Sequence, residues 1–301
     1  MVTEVKRYPI VAAVALVVAL FSVTVAAGQA PGPVTRYNTR HTGATAPASQ
    51  FELVQQVSEY APGAGTAFHS HGGPVFLTVI EGELTYRQSG KAGRVIKAGE
   101  TYSELPTDVI DVTNSGTVRA RVATALLLPA GATLTTFLPG ALPAPVGPKV
   151  LGATRSQVTA PAATFDVVQL VFDFAPGAFT AVHKHGGPGQ VTVFEGTVTK
   201  REGSQQTGYA AGQGFPEVTD AVLSVGNLGT TPASMAVTFL LPAGAPLTTV
   251  VGAAPGPPAT GNTGSVQGEA WTSPAALLGL ALLGITLLGS AAAVSARRAH
   301  R

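Results

Sequence analysis

The chain has 301 residues, enough for two domains with separate cores, and no cysteine, which excludes disulfides, zinc–thiolate sites and thiol nucleophiles. Charged residues make up 11% of it, and the stretch 28–273 holds 13 basic and 15 acidic side chains, a balance of −2 that leaves no basic patch for nucleic acid. With 36 Gly and 23 Pro, the composition favours short strands and turns over long helices.

Residues 1–27 open on Lys6 and Arg7, run through an apolar core and close on Val25-Ala26-Ala27. That order is expected of a secretory signal peptide. A first unit follows at 45–140 and a second at 161–252, joined by a Pro/Gly/Ala-rich stretch, 141–160, that reads as a linker. The two units are one sequence written twice. "FELVQQVSEYAPGAGTAFHSHGGP" from Phe51 aligns without gaps to "FDVVQLVFDFAPGAFTAVHKHGGP" from Phe165, with 15 identities in 24 positions. After one residue is lost from the second copy, Gly99 matches Gly212, Asn114 matches Asn227, and "LLPAGATLTT" matches "LLPAGAPLTT".

Runs such as "VFLTVI" and "RVATALLL", bounded by Pro-Gly, Glu-Gly and Asn-Ser-Gly, are strand-like, so each unit is expected to be a β-sandwich or barrel. Beyond a Pro/Gly-rich stalk at 253–273, residues 274–296 are free of charge and end at the basic tail 297–301, "RRAHR". About 20 such residues at ~1.5 Å each span the ~30 Å hydrocarbon layer, and a basic tail belongs on the cytoplasmic side. Residues 28–270 are therefore expected outside the cell membrane. "PPATG" from Pro257 is similar to the LPxTG signal of sortase-anchored proteins, with proline where leucine is expected; a plain tail anchor fits better.

Four of the six histidines stand in two HxH pairs, His69/His71 and His183/His185, each followed by Gly-Gly-Pro. Side chains two apart on a strand share a face, so both imidazoles of a pair can turn into one barrel and meet one ion. With Gly63, His69, His71 and Gly82 in one copy and Gly177, His183, His185 and Gly196 in the other, the chain resembles the two-domain bicupins of the cupin superfamily. The outer anchors of the family's second motif match Gly99/Asn114 and Gly212/Asn227. The resemblance implies two tandem jelly-roll barrels, each with a metal held by two His, a Glu and a third His.

Val75 and Gly189 stand where that Glu belongs, and Ile110 and Leu223 where the third His belongs. Substitutes are available: Glu104 and Glu217 match between copies, and Gln190 stands where a longer form of the first motif places its carboxylate. Asp108, Asp111 and Asp220 do not match between copies, while Glu81-Gly82 and Glu195-Gly196 read as hairpin turns. The candidate ligands are thus His69, His71, Glu104, His183, His185, Glu217 and Gln190, for Mn, Fe, Ni, Cu or Zn. A surface-anchored module binding a metal, a small molecule or both is the expected function. A metal-dependent dioxygenase or isomerase, and a purely structural surface domain, are the alternatives.

Overall fold

The computed structural model describes residues 31–139 and 146–253. The signal peptide at 1–27, most of the stalk, "PPATG", the apolar stretch 274–296 and the tail 297–301 lie outside the described residues. Among the described residues there is no helix, and so none long and apolar enough to cross a membrane.

The first half runs β1 (Val34–Thr45), β2 (Gln50–Tyr60), β3 (His69–Ser70), β4 (Val75–Glu81), β5 (Glu83–Gln88), β6 (Arg94–Lys97), β7 (Thr101–Glu104), β8 (Ile110–Thr113), β9 (Ala120–Leu128) and β10 (Thr136–Phe137). The second repeats it: β11 (Lys149–Thr159), β12 (Thr164–Phe174), β13 (Val182–Lys184), β14 (Gly189–Glu195), β15 (Thr197–Glu202), β16 (Gln205–Ala210), β17 (Gly214–Glu217), β18 (Leu223–Gly226), β19 (Ala233–Pro242) and β20 (Thr249–Gly252). Barrel 1 is an inner sheet β11-β2-β9-β4-β7 laid on an outer sheet β10-β3-β8-β5-β6. Barrel 2 pairs an inner sheet β1-β12-β19-β14-β17 with an outer sheet β16-β15-β18-β13-β20. The fold is all-β, two antiparallel jelly-roll barrels, as the repeat implied.

Each half lends its first strand to the other. β1 precedes barrel 1 but pairs along β12, and β11 precedes barrel 2 but pairs along β2. The stretch 141–160 is therefore more than a linker, because an eleven-residue strand occupies most of it. Exposed residues alternating with buried or half-buried ones in "KVLGATRSQVT", only some of the inward ones apolar, explain why it lacks an apolar signature: one face meets water at a sheet edge. Ion pairs tie the exchanged strands down, Arg36 to Asp173, Arg40 to Asp166 at 2.5 Å and Arg155 to Glu52 at 3.1 Å. Lying at a partly exposed sheet edge, each contributes about 0–1 kcal/mol.

The inner sheets pack on each other, so their central strands, such as β4, β9 and β19, are buried on both faces and read as near-continuous apolar runs rather than alternating ones. On β4, Val75, Leu77 and Val79 point into barrel 1, while Phe76 and Ile80 point toward barrel 2. Phe51 lies parallel to its own repeat counterpart Phe165, with ring centres 6.4 Å apart. Matched hydroxyl pairs recur in the two halves, Thr39–Thr78 at 2.7 Å and Thr154–Thr192 at 2.6 Å. Asn114 and Asn227 are buried loop staples: each amide donates to two carbonyls, and each side-chain oxygen accepts from a glycine N–H. The Gly-Gly-Pro after each HxH is also structural. A Cβ on Gly73 or Gly187 would sit 1.9 Å from the carbonyl oxygen of Leu127 or Leu240, so only glycine lets the loop reach β9 or β19.

Candidate metal centres

His69 lies on β3, with His71 just past its end, while β13 carries His183 and His185 follows it; all four turn into their barrels. The paired rings are near-perpendicular, 4.9 Å apart in barrel 1 and 4.7 Å in barrel 2. Each Nδ1 faces a backbone carbonyl: Ala67 at 2.8 Å for His69, Leu134 at 2.7 Å for His71, Ala181 at 2.7 Å for His183, and Leu247 for His185. A carbonyl can only accept, so each Nδ1 carries the proton and donates it. Every Nε2 is left as a bare lone pair, the form that ligates a metal.

The glutamates complete each pair. Glu104 Oε2 lies 3.4 Å from His71 Nε2, and Glu217 Oε2 lies 3.1 Å from His185 Nε2. Both carboxylates are buried, and neither Oε2 has a hydrogen-bond partner. Register explains how they reach the site. Glu104 is paired directly across from Val75, and Glu217 across from Gly189. Directly opposed residues of antiparallel strands share a face. The carboxylate has thus moved one strand over, from β4 to β7 and from β14 to β17, at the same level of the barrel wall. The missing third His is likewise accounted for, since Ile110 and Leu223 sit opposite His69 and His183 as buried apolar wall.

Gln190 is not brought to the site. It alternates with Val191 and Val193, which face the interior of barrel 2, and so points to the opposite face of β14, toward the inter-barrel layer. There its amide makes a 3.4 Å contact with the Val191 carbonyl, and its Oε1 has no partner. Asp111 is engaged by Arg87 and Asp220 by Lys184, while Asp108 accepts from Gln88 and from the Leu105 N–H.

Burial governs the protonation states. It lowers His69 and His183, and it pulls His71 down to about 4, with the Leu134 carbonyl opposing and His69 adding to the fall. It pushes Glu104 up to about 8, helped by the charge of Asp108. His71 and Glu104 therefore meet as neutral groups at pH 7, and Glu104 must give up a proton to ligate a cation. Among the described residues, His183, His185 and Glu217 are the one trio whose ligand atoms all lie within 4.8 Å of one another. The barrel 1 trio is more open.

Each trio opens onto a cavity, about 580 Å³ in barrel 1 and about 280 Å³ in barrel 2. Sequence reasoning missed two of the Nδ1 acceptors because Leu134 and Leu247 lie more than sixty residues beyond their histidines, where only the repeated "LLPAGA" hinted at a shared role.

No family model and no curated protein matches the chain. Among solved structures it is similar to the vicilin of Corylus avellana (8% identity, 64% of this chain and 76% of that one, TM-score 0.48). It is also similar to the oxalate decarboxylase formate complex of Lactobacillus farciminis (13% identity, 67% and 86%, TM-score 0.42). A third likeness is a cupin 2 conserved barrel domain protein from Leptotrichia buccalis (12% identity, 67% and 88%, TM-score 0.33). The strand order of the chain itself defines its class. It is a double β-barrel protein with a degenerate HxH set inside each barrel, the architecture that the bicupin resemblance implies.

Proposed function

We propose that this chain is a membrane-anchored, extracytoplasmic binding protein that holds a divalent transition metal in each barrel and a small molecule in the adjoining cavity. The observation that carries the metal reading is the common state of the four histidines, each with Nδ1–H tied to a carbonyl and Nε2 left free, with a buried glutamate Oε2 beside Nε2 of His71 and of His185. Two neutral imidazoles and one carboxylate suit Mn, Fe, Ni, Cu or Zn. His69, His71 and Glu104 would hold one ion, and His183, His185 and Glu217 the other. A bound ion would supply a Lewis-acidic centre toward the cavity. The carbonyl partners orient the rings, and the apolar wall around Ile110 or Leu223 limits access of water.

The deciding experiment is titration of chelator-stripped full-length protein with Mn²⁺, Fe²⁺, Ni²⁺, Cu²⁺ and Zn²⁺. His69→Ala/His71→Ala and His183→Ala/His185→Ala should each remove about one equivalent. Binding no tighter than in the four-histidine variant would overturn the reading. Export and anchoring rest on the signal-like start and the charge-free stretch 274–296. Protease added to intact cells should digest the barrels, and full protection would refute this topology.

A second reading, a metal-dependent enzyme of dioxygenase or isomerase type, is favoured by one observation: each two-His, one-carboxylate set borders an open cavity. Oxygen uptake by the Fe²⁺-loaded protein above that of the four-histidine variant would favour the dioxygenase form of this reading over plain binding.

A further inference from the structure

The two cavities are built from equivalent strands, yet matched positions on β2/β12 and β9/β19 differ in one direction. Where barrel 2 has Leu170, Phe172 and Val237 on its cavity wall and Phe174 in the core beside it, barrel 1 has Gln56, Ser58, Thr124 and Tyr60, all on its cavity wall. Four matched positions on β2 and β9 have thus gained an amide or a hydroxyl on the barrel 1 side. The same bias reaches the layer behind: Tyr102 replaces Phe215, and its buried hydroxyl has no hydrogen-bond partner. Such groups cost free energy in a protein interior unless something bonds to them. Gln56 Nε2 donates to Ser58 Oγ at 2.8 Å, which leaves the Gln56 side-chain oxygen and the Ser58 hydroxyl proton for another partner.

Two further features narrow the partner's chemistry. Among the described residues, no Lys or Arg lines this cavity, so it offers no side-chain counter-charge to an anion. At its mouth stands Phe137, 60% exposed, with its ring centre 5.9 Å from that of His69; barrel 2 has Val250 at this place. An exposed aromatic face beside a cluster of hydroxyl and amide groups suits a molecule with an apolar C–H face and a rim of hydroxyls. At about 580 Å³ the space admits a ligand of one or two pyranose rings.

We infer that the cavity of barrel 1 is a binding site for a neutral saccharide, seated between Phe137 at the mouth and Gln56, Ser58, Tyr60 and Thr124 inside, and that barrel 2 has no such site. The inference deepens the small-molecule reading above and rests on it, but it does not require a metal. The residues that define it are separate from the histidines and Glu104.

The test is calorimetric titration of chelator-stripped full-length protein in a non-glycosidic detergent. The probes are D-glucose, maltose and D-galactose, with glucuronate as the anionic control and cyclohexanol as the apolar one. At least one neutral probe should bind the unmutated protein. Gln56→Leu/Tyr60→Phe and Phe137→Val, each installing barrel 2 chemistry or size, should each weaken it about five- to tenfold, the loss of one or two hydrogen bonds or an aromatic contact. Leu170→Ala in barrel 2 should leave it unchanged. Failure of all three neutral probes, equal binding by both barrel 1 variants, or preference for glucuronate would overturn the inference. Binding of cyclohexanol alone would refute the saccharide and keep the small-molecule reading. Silence from every probe would sink both, and the metal titration would stand apart.

Discussion

Barrel 1 and barrel 2 hold their histidines in the same way and line their cavities differently. In both, a backbone carbonyl fixes each imidazole, and a glutamate one strand over completes the set. Around that frame, one cross-strand pair does much to set the volume. Val75 faces Leu126 in barrel 1, whereas Gly189 faces Phe239 in barrel 2. Phe239 stacks on His185 with ring centres 4.0 Å apart, and a Cβ on Gly189 would come within 2.4 Å of the Phe239 ring. The aromatic ring thus fills the space that glycine vacates. With Phe172 and Leu170 beside it, barrel 2 closes to a small, mostly apolar cavity around a compact trio. The difference teaches that donor geometry and cavity size are set separately here, the first by main-chain acceptors and strand register, the second by side-chain volume.

The comparison predicts unequal metal sites. The compact trio of barrel 2 needs less rearrangement than the open one of barrel 1, so competition with a chromophoric chelator should resolve a tight and a weaker class. His183→Ala/His185→Ala should abolish the tight class, a loss of at least about 100-fold, whereas His69→Ala/His71→Ala should remove only the weaker one. Identical affinities in the two single-barrel variants would break the distinction.

The wall pair can be exchanged. Gly189→Val brings barrel 1's residue into barrel 2 against a buried ring, and should destabilise the fold by about 1–3 kcal/mol in denaturant unfolding. Gly189→Val/Phe239→Leu rebuilds the barrel 1 pair and should recover most of that loss. A single variant as stable as the parent would show that the ring moves aside freely, and that the pair does not control the cavity.

Much of this arrangement could be read along the chain, and the unread part has a common cause. The repeat, the HxH pairs and the matched Glu104 and Glu217 are local patterns, visible because side-chain period and turn chemistry leave marks within a few residues. The exchange of β1 and β11 leaves none, since a half-exposed edge strand carries no strong apolar signature and nothing local states which barrel it joins. Gln190 misled for a related reason. Counting along a motif places a residue on a strand, but a one-residue offset sends the side chain to the other face.

That correction is testable, with a smaller effect. Gln190→Leu should leave metal content unchanged, whereas Glu217→Gln should lower affinity in barrel 2. Because the Gln190 carbonyl oxygen is buried without a partner, the substitution should be neutral or stabilising by up to about 1 kcal/mol. Loss of metal from Gln190→Leu would return this residue to the ligand set.

The smallest effect separates the two halves at their shared interface. His41 on β1 occupies the place that Ser156 takes on β11, as their register partners Val167 and Leu53 show. Its Nε2 lies 2.6 Å from Thr101 Oγ1, and its ring meets the edge of Phe76 at 5.0 Å. The Thr101 hydroxyl donates to the Leu77 carbonyl, so its oxygen accepts from His41, and Nε2 carries the proton in the neutral ring. Burial lowers the His41 pKa below its ordinary value of 6.5. The unfolded chain therefore binds a proton here before the folded one does as pH falls. The contribution of His41 to stability is complete above about pH 6.5 and is lost as pH drops through the lowered folded value. His69, His71 and His183 are shifted the same way, so the measurable quantity is a difference. Between pH 7 and pH 5, His41→Ser should lose less stability than the unmutated protein in urea unfolding, while Ser156→Ala should lose the same amount. Equal losses in His41→Ser and the parent would show that burial at this interface does not hold the ring neutral.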